Sequence, residues 1–152
     1  MRPGELSQAG FLGEHERLED VLARDARTLE EANLSPDELA DALERLLDAA
    51  EAARGRSARV AGRFDVRVEV FTGFQICPWA PSPHSGQCTA GGGARHASVD
   101  WHVRNRRTGE ELRGPGLIAH LIGAHRFFEG LESPHRVEPL ALARVLELGP
   151  WR

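Results

Sequence analysis

In the first third of the chain, apolar residues recur with the spacing of two amphipathic helices. The first is predicted from about residue 14 to 29, with an apolar stripe formed by Leu18, Val21, Leu22, Ala26 and Leu29. The second begins at a capping box, Ser35-Pro36-Asp37-Glu38, and ends near Gly55. Its stripe consists of Leu39, Leu43, Leu46, Leu47 and Ala50. The short connection predicts an antiparallel helical hairpin, which must bury its stripe on the rest of the chain or on a second copy.

From Arg63 onward the apolar period changes to two, which is the period of a strand with one buried face. One strand is predicted from residue 64 to about 74. A second is predicted from about residue 98 to 107, with alternate residues facing inward: Val99, Trp101 and Val103. A turn at residues 108–110 follows, and residues 111–113 are long enough for a short third strand. The sequence therefore predicts a small antiparallel sheet of two to three strands.

Two further helices are predicted after the sheet. The first opens at Gly114-Pro115-Gly116 and continues to Gly130, and the second runs from about Pro139 to Leu148. Helices, then an antiparallel sheet, then helices indicate an α+β fold. We expect an acidic helical hairpin at residues 1–54 and an α+β core at residues 55–152, together forming one compact unit.

Charge is divided along the chain. Residues 1–55 hold 14 acidic residues and 6 arginines, net −8, whereas residues 56–152 hold 9 acidic residues and 13 arginines, net +4. This balance is far from that of a nucleic-acid-binding domain, so a nucleic-acid partner is not favoured. The alternative, binding of an anion or of nucleic acid, rests on one local group of arginines: Arg104, Arg106, Arg107 and Arg113.

Two absences in the composition exclude classes of function. All 19 basic residues are arginine, so lysine-dependent phosphate loops, Schiff-base chemistry and lysine acid–base catalysis are excluded. No apolar run approaches the roughly 18 to 20 residues of a membrane-spanning helix, and the first residues lack the apolar stretch of a secretory signal. We therefore expect a soluble cytoplasmic protein with no membrane partner.

The segment from Cys77 to Ala97 has no apolar periodicity and is rich in proline and glycine. Such a stretch inside a compact domain is uncommon, so the segment is either a mobile loop or is held by something. It contains both cysteines of the chain, and His84 and His96 also lie in it. Its glycine run, residues 91–93, lacks the third glycine of a dinucleotide-binding loop and is interpreted as plain loop.

A metal site would explain how this segment is held. Cys77-x10-Cys88 is followed by His120-x4-His125, a set of two thiols and two imidazoles that suits tetrahedral zinc. The main objection is that helical positions five apart are rotated by about 140° and displaced by about 7.5 Å. Gly123 lies between the two histidines and would let the helix adjust. The competing interpretations are free thiols or a disulfide, and buried neutral histidines bonded to backbone.

Three functions remain open. The first is a small binding or scaffolding protein with a structural zinc bound by Cys77, Cys88, His120 and His125, whose helical hairpin binds a protein partner or a second copy. The second is a metal-dependent hydrolase in which Asp100 and His102 join His120 or His125 and leave a coordination position for water. The third is anion or nucleic-acid binding through the arginine group. The residues favour a binding module over an enzyme.

Overall fold

A computed structural model describes residues 1–5, 10–81, 88–92 and 95–152. Within these ranges the chain forms four α-helices and one four-stranded sheet. The helices are α1 (Leu18–Glu31), α2 (Pro36–Ala52), α3 (Ile118–His125) and α4 (Pro139–Leu146). The strands are β1 (Ser57–Val60), β2 (Phe64–Val70), β3 (Val99–Asn105) and β4 (Glu111–Pro115). The predicted α+β class is confirmed.

The sheet is an antiparallel meander in the order β1-β2-β3-β4, so the prediction of two to three strands was wrong. The missed strand is β1, which has only four residues and alternates between partly buried and exposed positions. Its turn to β2 places Ala61 and Gly62 at positive φ, 51° and 69°. Such values at both central positions characterise a hairpin turn, but alanine there gives no sequence signal for one.

The inner face of the sheet carries the apolar core. Alternate residues of the two central strands are buried there, as the period of two predicts: Val66 and Val68 on β2, and Val99, Trp101 and Val103 on β3. Helix α2 lies against this layer and buries its whole predicted stripe. A fully buried leucine contributes roughly 1.5–3 kcal/mol, so α2 is a main source of stability.

The helix arrangement differs from the predicted hairpin, because α1 packs on α4 and α2 packs on α3 and the sheet. Asp25 of α1 is buried and forms a two-bond ion pair with Arg136, at 2.7 and 3.0 Å. An apolar stripe specifies which face of a helix is buried but not which element covers it. Ser35 stands at the N-cap of α2, but its side chain makes no capping hydrogen bond within the described ranges.

Helix α3 is shorter than predicted and positions the candidate site. Gly114 and Pro115 belong to β4, and α3 ends at His125 because Arg126 adopts a left-handed conformation. A Cβ at Gly123 would lie 3.2 Å from the Cβ of Ala40, so this glycine permits close packing of α3 on α2. No helix in the described ranges combines the length and apolar character that a membrane span requires.

Candidate metal centre

The four side chains of the predicted Cys/His set meet between the loop after β2 and helix α3. One donor atom from each lies within 4.8 Å of the donor atoms of the other three. His125 Nε2 is 3.3 Å from Cys77 Sγ and 3.1 Å from Cys88 Sγ, and His120 Nε2 is 3.3 Å from Cys77 Sγ. With bonds of about 2.3 Å to sulfur and about 2.0 Å to nitrogen, a tetrahedral zinc separates these atoms by about 3.5 Å. The arrangement can therefore bind a metal ion after small shifts.

Both cysteines begin a tight turn whose N–H groups face the sulfur. The N–H of Ala80 donates to the carbonyl of Cys77 at 2.9 Å, and the backbone N–H groups of Trp79 and Ala80 act to lower the pKa of the Cys77 thiol. The second turn repeats this pattern: Gly91 N–H donates to the Cys88 carbonyl at 2.9 Å, and Ala90 N is 3.5 Å from Cys88 Sγ. N–H donors at a sulfur favour the thiolate, which is the form that binds metals.

The two histidines approach each other because α3 ends in a widened turn. The N–H of Arg126 reaches the carbonyls of both Ile122 and Leu121, four and five residues back. A bond to the fifth residue back belongs to a wider turn than that of an α-helix, which reduces the angle between positions five apart. The rings of His120 and His125 lie 5.2 Å apart, centre to centre.

Two neighbours fix the histidine rings. The indole of Trp79 stacks on His125 with ring centres 4.1 Å apart and planes 7° from parallel, and its edge contacts Phe127. Gly92, at φ 69°, lies close to His120: a Cβ there would be 3.4 Å from Nδ1. A Cβ at Gly92 would only touch the ring at ordinary van der Waals distance, and it is the left-handed backbone that favours glycine there.

Burial determines the protonation of the site. It raises the pKa of the Cys77 thiol to about 12, with N–H donors opposing the shift and nearby Cys88 adding to it. Burial lowers the pKa of His120, and it lowers the pKa of His125 to about 4 with a further contribution from His120. Both imidazoles are therefore neutral near pH 7, as ligands must be, the Cys77 thiol keeps its proton, and neither cysteine is in a disulfide. A bound cation would displace the thiol protons.

The alternative hydrolytic centre is not assembled in the described part of the chain. Asp100 and His102 point to the outer face of the sheet, away from the core that α3 helps to form. His102 Nε2 instead lies 2.9 Å from Glu111 Oε2. Among the described residues, no group of three or more mutually close ligand side chains includes Asp100 or His102.

The arginine group is divided between two environments. Arg106 lies 3.6 Å from Asp65, and Arg107 donates to Glu147 at 2.8 Å. Arg104 and Arg113 are exposed and line a cleft on the outer face of the sheet. Two of the four arginines are thus paired with carboxylates, which weakens the case for a common anion site.

The loop after β2 also contains two histidines of its own, His84 and His96. His84 lies outside the described residues. His96 forms a separate group with Asp48 and Glu51 of α2. Nothing in the sequence indicates this group, since the spacing of the two acids is ordinary for a helix and no local pattern links them to residue 96. The chain matches no protein family, no curated protein and no solved structure in the comparisons made.

Proposed function

We propose that Cys77, Cys88, His120 and His125 bind one zinc ion that holds the loop after β2 on helix α3. The observation that carries the proposal is the convergence of the four donor atoms within 4.8 Å of one another. The two N–H-to-sulfur turns and the stacked Trp79 supply the outer contacts that orient the ligands of metal sites.

The donor set favours zinc over other cations. Thiolate and imidazole together suit Zn²⁺, whereas Mg²⁺, Ca²⁺ and Mn²⁺ prefer oxygen ligands. Four protein donors fill a tetrahedral shell and leave no position for water or substrate, which is the pattern of structural sites. The proposed role of the ion is therefore to stabilise the fold.

The loop needs such a contribution because the part of it that is described buries little apolar surface. Phe74 is 54% exposed. Cys88 is buried, but residues 89–92, which follow it, are exposed. A structural zinc adds apparent binding free energy on the order of 10 kcal/mol to folding. That is enough to offset the conformational entropy of several ordered residues, at about 1–2 kcal/mol each.

In this proposal the protein is a small binding or scaffolding module of the cytoplasm. A reducing compartment would keep the two thiols available for zinc. The acidic exposed faces of α1 and α2 are the surface offered to a protein partner or to a second copy. Light scattering across protein concentrations tests self-association, and a constant monomer mass would remove that part of the proposal.

Elemental analysis of untagged protein tests the zinc site. We expect one zinc per chain in the wild type and loss of zinc in Cys77→Ser and in His125→Ala. His102→Ala and His135→Ala are the matched controls, because both histidines lie outside the cluster, and both variants should retain the full zinc content. Wild-type protein that takes up no zinc after reconstitution would contradict the proposal, as would a Cys77→Ser variant that still binds zinc as tightly.

A further inference from the structure

A second group of ligand side chains lies where the loop returns to the sheet. Asp48 and Glu51 are three residues apart on the last turns of α2, so they share one face of the helix. His96 precedes β3 and inserts its ring between them. One donor atom from each of the three side chains lies within 4.8 Å of the other two.

The backbone fixes the position of the His96 ring. His96 adopts a left-handed conformation, φ 60°, and its side chain is only 2% exposed. Its carbonyl oxygen lies against Gly116, where a Cβ would be 2.0 Å away. A non-glycine residue in this conformation is strained, so the surrounding contacts hold it in place.

Glu51 determines which nitrogen of His96 carries the proton. Nδ1 lies 2.8 Å from Glu51 Oε2. A carboxylate only accepts, so Nδ1 is the donor, and in the neutral ring Nε2 keeps its lone pair. Metal-binding histidines are typically oriented in this way by a carboxylate on the other nitrogen.

The second ring nitrogen of His96, Nε2, faces the other carboxylate. Nε2 is buried and has no hydrogen-bond partner among the described residues, yet it lies 3.2 Å from Asp48 Oδ1. An N–H on Nε2 would not point at this oxygen well enough to form a hydrogen bond, whereas an ion bound to both atoms needs no such alignment. With bonds of about 2.1 Å, a separation of 3.2 Å corresponds to an angle of about 100° at the metal, between tetrahedral and octahedral values.

We propose that Asp48 and His96 are ligands of a second divalent transition-metal ion and that Glu51 orients the His96 ring. Arg95 Nη2 binds the other oxygen of Asp48 at 2.5 Å and so leaves Oδ1 for the ion. Two protein ligands leave several coordination positions for water or an anionic ligand. This site is therefore open and contains no sulfur, unlike the Cys/His cluster. It does not depend on the zinc proposal.

Manganese is the probe that separates the two sites. Mn²⁺ stands at the weak end of the affinity series and prefers oxygen ligands such as the Asp48 carboxylate, so it should not displace zinc from thiolates. Free Mn²⁺ is followed by electron paramagnetic resonance during titration of the zinc-loaded full-length protein. We expect one Mn²⁺ per chain, with affinity reduced at least tenfold in Asp48→Asn and about 10- to 100-fold in Glu51→Gln. Asp41→Asn, an exposed change on the same helix, should bind as the wild type does.

Paramagnetic broadening identifies the ligand. Mn²⁺ should broaden the ring resonances of His96 at a lower metal ratio and more strongly than those of His120 and His125. Wild-type binding no tighter than that of Asp48→Asn would overturn the proposal, and so would nitrogen resonances showing that His96 keeps protons on both nitrogens in the presence of Mn²⁺. Zinc content is measured on the same samples, so failure of the Cys/His site is detected separately.

Discussion

The apolar core and the loop after β2 are held together by different forces. The core between the inner face of the sheet and helices α2, α3 and α4 is lined by leucine, isoleucine, valine and phenylalanine, many of them fully buried. The described residues of the loop are instead fixed by thiols and imidazoles at one end and by a histidine between two carboxylates at the other. From this difference and the proposed metal sites, we expect the core to fold by burial alone and order in the loop to depend on the bound ions.

The largest expected effect is loss of zinc. Chelation, or Cys77→Ser, should remove binding free energy on the order of 10 kcal/mol from the ordering of the loop. Amide hydrogen exchange should rise sharply at residues 75–80 and 88–92, while α2 and β3 keep their protection. Exchange that rises equally in α2 and β3 would show that the two regions are not separable.

A change in the core should lower the free energy of unfolding and leave zinc binding intact. Leu43 is fully buried on α2, and Leu43→Ala should lower the free energy of unfolding by about 2–5 kcal/mol through lost burial and a cavity. Denaturant unfolding measures this, and Leu131→Ala, at a 41% exposed position, is the control with little expected effect. Zinc content should stay at one per chain. A Leu43→Ala protein that folds but no longer binds zinc would contradict the separation between the core and the loop after β2.

A buried carboxyl gives the core its own dependence on pH. Burial raises the pKa of Glu129 from 4.5 to about 7, opposed by the hydrogen bond from Ser133. Below about pH 4.5 the carboxyl is neutral in both the folded and the unfolded chain, so its burial does not lower the free energy of unfolding. Stability is lost as pH rises from there through about 7. The loss is at most about 3.5 kcal/mol, because one unit of pKa corresponds to about 1.4 kcal/mol.

Unfolding of Glu129→Gln at pH 5 and pH 8 tests this. The variant should gain stability relative to the wild type at pH 8 and should show a flatter pH profile. Glu132→Gln, an exposed neighbour, should keep the wild-type profile. An unchanged slope in Glu129→Gln would mean that Glu129 is ionised in the folded state at low cost.

The smallest effect is expected where the two regions meet. In Gly123→Ala the new Cβ meets Ala40 at 3.2 Å, so α3 must shift by a few tenths of an ångström. Stability should fall by about 1 kcal/mol, and zinc affinity should fall with it because α3 carries both histidines. Adding Ala40→Gly removes the contact and should restore zinc affinity more than it restores stability. If Gly123→Ala leaves stability and zinc affinity unchanged, the packing of α3 on α2 does not affect the metal site.

Local patterns allowed part of this fold to be predicted. The period of two gave β2 and β3, and the leucine stripe gave α2, because each depends only on which face is buried. The partner of α1 could not be predicted in this way. The Asp25–Arg136 pair that ties α1 down joins residues 111 positions apart, and neither residue shows this in its local sequence.

The candidate site was predictable by residue type and not by geometry. Two cysteines and two histidines suggested the set, but an ideal helix would separate His120 from His125, and the widened turn at Arg126 left no sequence signal. Pro78 at the second position of the turn after Cys77 was a usable sign of that turn. The Asp48, Glu51 and His96 group could not be found, because it depends on the left-handed backbone of His96. Zinc binding itself stays a prediction.

X-ray absorption at the zinc edge of the untagged protein reports directly on whether Cys77, Cys88, His120 and His125 bind the ion. We expect one zinc per chain with two sulfur neighbours at about 2.3 Å and two nitrogen neighbours at about 2.0 Å. A shell of nitrogen and oxygen alone, or one that keeps both sulfurs in Cys77→Ser, would contradict it.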